Sequence, residues 1–203
     1  MRFYNLISYV FHPLLFSFIG SFIYLLLTPR NIVKKQEYII LAIIFISTYL
    51  LPIFLLILLK KLNLIETYLL ETIEERKFPI LFFIILSFMV GNLLLKNVKI
   101  VDLLAYSFFG IALALAITYL LFNTKIKTSL HTLGIGGILG FVIIMSYEYQ
   151  LNFNLIIAVL FILSGLISVA RLKLNAHKPK EVYIGFLLGM ITQFISYQFY
   201  HSI

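Results

Sequence analysis

Cysteine and tryptophan are absent from this chain of 203 residues, and charged residues make up only 12% of it. The lack of cysteine excludes disulfides, thiolate catalysis and cysteine-ligated metal sites. Without tryptophan, anchoring at a membrane interface falls to the 13 tyrosines and to lysine and arginine. So few charges cannot coat a soluble globule of this length, which indicates an integral membrane protein.

Long apolar segments dominate what remains. Hydrophobic residues form 62% of the chain, with a mean hydropathy of +1.06. A hydrocarbon core about 30 Å thick needs about 20 helical residues. We therefore predict an all-α, polytopic transmembrane helix bundle of six to seven spans, forming one membrane domain over residues 1–203. The candidate spans are Leu6–Leu27, Tyr38–Leu59, Ile80–Leu95, Val101–Phe122, Leu133–Ser146, Leu155–Ala170 and Val182–Tyr200.

Two features of the first span affect its interpretation. It lacks a small-residue cleavage site, so we expect a membrane helix and not a signal peptide. His12 precedes Pro13, and we interpret this histidine as a structural residue that bonds within a kinked first helix.

Alternate crossings would place three polar loops on one face of the membrane: Lys60–Pro79, Asn123–Thr132 and Arg171–Glu181. These loops hold nearly every histidine and carboxylate that a site could use. They also hold many of the basic residues behind the net charge of +8. Lipid phosphate or loop orientation accounts for such clusters, so we expect no nucleic-acid partner.

The third loop contains a spaced triplet in which five residues separate Arg171 from His177 and three separate His177 from Glu181. A histidine that attacks phosphorus must present a neutral nitrogen, and a carboxylate on its other nitrogen fixes the tautomer. A structural interpretation competes with this one. Pro179 suits the first turn of a helix, Glu181 can bond free backbone N–H groups there, and Arg171 can extend to the interface.

The second loop places Ser129 and His131 before a glycine-rich span, and His131 lies 46 positions before His177 with two spans between them. Two crossings return the chain to the same face. His131 could instead simply mark the membrane boundary. Gly136 and Gly140 are most simply a helix-packing pair of the small-x-x-x-small kind.

The first loop offers Arg76 and Lys77 shortly before Pro79. A planar guanidinium suits bidentate phosphate binding, and an ammonium acts as a point charge. Alternatively, Glu71 and Glu75 pair with these cations in a solvated loop, which contributes little at a surface.

Across residues 71–181 these features resemble the signatures of the type 2 phosphatidic acid phosphatase superfamily, which read Lys-x6-Arg-Pro, Pro-Ser-Gly-His and Ser-Arg-x5-His-x3-Asp. The spacing of the third signature is kept. The chain departs by Ala170 for serine, Glu181 for aspartate, Leu130 for glycine, and the lack of the first lysine.

The resemblance implies a metal-independent phosphohistidine mechanism with no cofactor, acting on a lipid phosphate or polyprenyl diphosphate in a bacterial inner (cytoplasmic) membrane. His177 would attack phosphorus, Glu181 would orient it and His131 would protonate the leaving oxygen. The phosphate-binding side chains would be Arg171, Arg76, Lys77 and Ser129. A non-catalytic protein that binds or translocates lipid phosphates is the alternative, and a purely structural membrane subunit is the third possibility.

Overall fold

The computed structural model describes residues 1–202, and its 82% helical content confirms the predicted all-α fold. No β-strand occurs in that part of the chain. In chain order the helices are α1 (Arg2–Val10), α2 (Phe16–Leu27), α3 (Lys34–Phe45), α4 (Leu51–Lys61), α5 (Ile73–Asn97), α6 (Asp102–Leu121), α7 (Leu130–Glu148), α8 (Asn154–Lys173) and α9 (Pro179–His201).

Seven helical segments are long and apolar enough to cross a membrane: Arg2–Leu27, Lys34–Lys61, Ile73–Asn97, Lys99–Thr124, Leu130–Glu148, Asn154–Lys173 and Pro179–His201. Each contains one predicted span, and the protein is an integral membrane helix bundle. The helices α6 and α7 carry the largest buried share, and α9 packs against both. The three therefore form the centre of the bundle.

Several helices extend beyond the apolar limits predicted from sequence, which moves candidate site residues out of loops. The third span begins at Ile73 and not at Ile80, because Thr72 and Glu75 form a capping box. The Glu75 N–H donates to Thr72 Oγ1 at 3.3 Å, and the Thr72 N–H donates to Glu75 Oε2 at 3.3 Å. Arg76 therefore lies on the first turn of α5.

The first span is broken as expected at His12 and Pro13, which separate α1 from α2 by a short 3₁₀ turn. His12 Nδ1 accepts a hydrogen bond from the Leu14 N–H at 3.4 Å, which caps that turn. Asn5 and Ser8 of α1 line a cavity in the bundle, whereas Leu6 points away from it and is 60% exposed. The helix α1 is therefore amphipathic, with its polar face turned inward.

Glycines allow α7 and α9 to approach closely. A side chain at Gly136 or Gly140 would collide with the backbone of Phe186 or Met190 in α9, which agrees with the predicted packing role. Two hydrogen bonds also join the first turns of these helices. The Ser129 N–H donates to the Glu181 carbonyl at 3.2 Å, and Thr132 Oγ1 donates to the Val182 carbonyl at 3.0 Å. This contact fixes the second and third polar loops beside each other.

Candidate functional site

A cavity of about 610 Å³ opens among the helix ends on one face of the bundle. The structure brings four of the predicted side chains to its wall from three separate regions of the chain: Arg76, His131, Arg171 and His177. Glu181 lies behind His177 and contacts it directly. Two crossings separate each region from the next, so the alternating topology accounts for their convergence.

His177 has one ring nitrogen fully engaged. Its Nδ1 lies 3.0 Å from Glu181 Oε2 and 3.0 Å from the Lys127 carbonyl oxygen. Both partners are acceptors, so Nδ1 carries the proton and Nε2 presents a lone pair. Burial, followed by the neighbouring Arg76 cation, lowers the pKa of His177 to about 4. The ring is therefore neutral at pH 7, and its contact with Glu181 is a hydrogen bond and not an ion pair.

Glu181 combines the two roles that the sequence left open. The Oε2 atom that accepts from His177 also accepts the Lys178 N–H at 3.1 Å, which caps the start of α9. Its side chain is 13% exposed. A single carboxylate oxygen thus fixes both the helix start and the histidine tautomer.

Two arginines face the cavity with only part of their hydrogen-bonding capacity used. Arg76 is 7% exposed, and it donates from Nε to the Leu70 carbonyl at 2.7 Å and from Nη1 to the Thr128 carbonyl at 3.3 Å. Arg171, on the last turn of α8, donates from Nη1 to Ser8 Oγ at 3.0 Å. Its buried Nε makes no hydrogen bond within residues 1–202.

Lys127 is a third cation in this wall that sequence reasoning missed. Its Nζ donates to the Glu71 carbonyl at 3.2 Å. Burial, followed by the Arg76 cation, lowers the pKa of Lys127 from its usual value. Only its position two residues before Ser129, inside the second loop, could have indicated it.

The cavity carries an excess of positive charge. Arg76, Lys127 and Arg171 line it, and the one carboxylate in its wall belongs to Glu71. Within the part of the chain that the structure describes, no carboxylate forms an ion pair with any of the three cations. Arg76 is 7% exposed, and burying a cation without a paired carboxylate costs several kcal/mol, so this arrangement favours an anionic ligand.

His131 contacts the N-terminal helix. Its Nε2 lies 3.2 Å from the Ser8 carbonyl oxygen, which can only accept, so Nε2 carries a proton. Nδ1 is then the nitrogen that can exchange a proton with a bound group. The imidazole of His12 lies against it, with the two ring centroids 6.1 Å apart.

The structure does not bring Lys77 or Ser129 to the cavity wall, contrary to the sequence expectation. Lys77 Nζ forms an ion pair with Glu74 at 2.8 Å on the outer side of α5, because adjacent helical residues point about 100° apart. Ser129 is fully buried at the start of α7, and its Oγ has no partner among residues 1–202. The alternative, in which Glu71 and Glu75 pair with Arg76 and Lys77, is not found among the described residues, since Glu75 caps α5 and Lys77 pairs with Glu74.

Away from the cations, the cavity continues into the bundle between apolar walls that include Ile80, Phe83 and Ile111. Its inner end is polar, where Gln193 Nε2 donates to the Ser107 carbonyl at 3.3 Å. Gln193 lies 14 residues after Pro179, which places it about 21 Å along the α9 axis. The cavity therefore joins a cationic mouth to apolar walls that extend about 21 Å along α9 to a polar inner end.

Across residues 1–202, no group of three or more histidine, aspartate or glutamate side chains is arranged to hold a metal ion. Comparisons of the chain with protein-family models, with curated proteins and with solved structures find no match.

Proposed function

We propose that this protein is a membrane lipid phosphatase that hydrolyses a lipid phosphate or diphosphate through a phosphohistidine intermediate on His177. The resemblance of residues 71–181 to the type 2 phosphatidic acid phosphatase superfamily supports this activity. It also supports a location in a bacterial cytoplasmic membrane. The observation that carries the proposal is the neutral His177 imidazole, backed by Glu181 and surrounded by three cations without carboxylate partners.

The arrangement suits attack on phosphorus. His177 Nε2 forms the N–P bond while the bond from phosphorus to the leaving oxygen breaks. Because the resting His131 ring holds its proton on Nε2, it first takes up a second proton on Nδ1, from water or from a phosphate monoanion, and then gives this proton to the leaving oxygen. Positive charge develops on the His177 ring, where the Glu181 carboxylate stabilises it. Arg76, Arg171 and Lys127 neutralise the phosphoryl oxygens. Water then cleaves the N–P bond, which releases inorganic phosphate and restores His177.

The shape of the cavity supports an amphiphilic substrate. A phosphate headgroup matches the cationic mouth, and a hydrocarbon chain matches the apolar walls that continue toward Phe83 and Ile111. Binding of the chain would place the headgroup near His177, so that affinity for the tail contributes to orientation of the reacting atoms. Phosphatidate-like lipids and polyprenyl diphosphates both meet this description.

The decisive experiment measures phosphate release by the purified protein from a panel of lipid phosphates in detergent micelles. Wild type should release phosphate in the presence of a chelator. His177→Ala should release none, although its thermal unfolding temperature should stay close to that of wild type. A radiolabelled phosphoryl group should remain on wild type, but not on His177→Ala, after denaturation in alkali. Acid should then release the label, because the N–P bond of phosphohistidine is cleaved by acid. Chelator-sensitive activity restored by zinc or magnesium would contradict the mechanism.

A protein that binds or translocates lipid phosphates without hydrolysis is the second candidate. It is favoured by the positions of Lys77 and Ser129, because their absence from the cavity wall leaves fewer groups to stabilise a transition state.

The two functions predict different results for the His131→Ala variant. In an enzyme, His131→Ala lowers turnover strongly but leaves lipid-phosphate affinity nearly unchanged, since a proton donor matters mainly in the transition state. In a binding protein, neither wild type nor His131→Ala releases phosphate, while Arg171→Ala still weakens binding.

A further inference from the structure

A third histidine lies in the cavity, outside the residues that resemble the phosphatase signatures. His12 connects α1 to the 3₁₀ turn before α2 and lines the same wall as His131. Its ring centroid is 6.1 Å from that of His131, with the planes at 74°. The sequence suggested only a structural role at a kink, and this role accounts for one of its two ring nitrogens.

The hydrogen bond at the kink determines where the His12 proton lies. Nδ1 accepts from the Leu14 N–H at 3.4 Å, so Nδ1 carries no proton and the neutral ring holds its proton on Nε2. No hydrogen bond to Nε2 occurs within residues 1–202. His12 therefore brings a free N–H donor to a cavity that already favours an anion.

The helix α1, which ends shortly before His12, is bound to other residues of the cavity wall through Ser8. The Ser8 carbonyl accepts from His131, and Ser8 Oγ accepts from Arg171. One residue of α1 is thus bound to two side chains that face the cavity, and His12 follows it by four positions, just beyond the end of α1 at Val10. The N-terminal helix forms a wall of the site and is not merely a membrane anchor.

We propose that His12 is a phosphate-binding residue whose Nε2–H donates a hydrogen bond to a phosphoryl oxygen of the lipid phosphate in the cavity. This inference rests on the proposed binding of a lipid phosphate, but it does not require hydrolysis. It assigns His12 a binding role and leaves proton transfer to His131. Phosphate would bind next to the Arg171–Ser8 contact, between His12 and the cations of the cavity wall.

Two substitutions separate this role from capping. His12→Asn keeps a side-chain oxygen that caps the turn, because asparagine is among the best N-cap residues, but it removes the Nε2–H donor. His12→Ala removes both. The measurements are the Kd for a short-chain phosphatidate in detergent micelles and the thermal unfolding temperature of each full-length variant. We expect His12→Asn to unfold like wild type but to bind about 10- to 100-fold more weakly, the usual effect of losing a hydrogen bond to a charged group.

The outcomes distinguish this inference from the proposed function. Unchanged affinity in His12→Asn, with wild-type binding intact, would overturn the His12 assignment alone and leave only the cap. A wild type that binds no lipid phosphate would overturn both. A second measurement avoids variants: the ¹H–¹⁵N signal of His12 Nε2 in ¹⁵N-histidine-labelled wild type should shift when the phosphatidate is added. An unmoved signal in a protein that binds the lipid would also refute the assignment.

Discussion

Replacing Glu181 by glutamine tests whether its charge serves the reaction or only the fold. In the structure one oxygen, Oε2, accepts from both His177 Nδ1 and the Lys178 N–H, at 3.0 and 3.1 Å. A glutamine oxygen in the same place can accept both hydrogen bonds, so Glu181→Gln removes the charge and keeps the contacts. Glu181→Ala removes both the charge and the two hydrogen bonds.

The expected effect on turnover follows from the charge that develops on His177 during attack. Two unit charges about 4 Å apart interact by about 4 kcal/mol at an effective dielectric constant of about 20. Since about 1.4 kcal/mol corresponds to a tenfold change in rate, turnover by Glu181→Gln should fall by up to about 1,000-fold. Its stability should change by less than about 1 kcal/mol. Glu181→Ala should in addition lose about 1–2 kcal/mol of stability with the helix cap.

The assay is phosphate release at saturating lipid phosphate, together with thermal unfolding of the same preparations. Glu74→Gln is the matched control, because it makes the same chemical change in a carboxylate that pairs with Lys77 on the outer side of α5, away from the cavity. It should leave turnover unchanged. If Glu181→Gln turns over like the control, and Glu181→Ala is impaired only as far as its lower stability explains, then Glu181 is a helix cap and its proposed part in the chemistry is refuted.

Three further predictions concern other parts of the site. Because the pKa of His177 is lowered to about 4, its ring stays neutral as the pH falls, so a His177-dependent loss of kcat/KM should begin near pH 4 and not near 6.5. The unfolded chain binds this proton at a higher pH than the folded protein does. The folded state should therefore lose stability as the pH drops from about 6.5 toward 4. Lys127→Ala should weaken lipid-phosphate binding about tenfold in a direct binding assay, whereas Lys77→Ala should not, since only Lys127 lines the cavity. Gly189→Val should destabilise the protein by about 2 kcal/mol or more in thermal unfolding, because its side chain would collide with the Leu133 carbonyl, while Gly165→Ala, with open space around it, should be neutral.

The membrane spans could be predicted from the sequence because their signal is local. A run of about 20 apolar residues is enough to identify a helix that crosses a bilayer. The ends were less accurate, since a hydropathy limit stops at the first charged residue whereas a helix continues to its cap. Thr72 and Glu75 start α5 seven residues before the predicted span, and this shift places Arg76 on a helix.

The composition of the site could be predicted only in part, because side-chain direction depends on helix phase and on packing. Arg76 and Lys77 are adjacent in sequence, yet one faces the cavity and the other pairs with Glu74 outside. Lys127 matched no signature and reaches the wall through the loop before α7. A motif identifies the residues present in a loop, but it does not determine which of them point inward.

Contacts between distant parts of the chain explain why the role of α1 could not be predicted from the sequence. Its polar residues Asn5 and Ser8 stand singly in an apolar segment, and nothing in their spacing indicates a partner. In the structure Ser8 contacts His131 and Arg171, which follow it by 123 and 163 positions. Such contacts depend on the packing of α7 against α9 and of α1 against α8. The glycines that bring α7 and α9 together therefore act on the chemistry indirectly, because the same contact sets the positions of His131 and His177, and His131 in turn contacts Ser8 of α1.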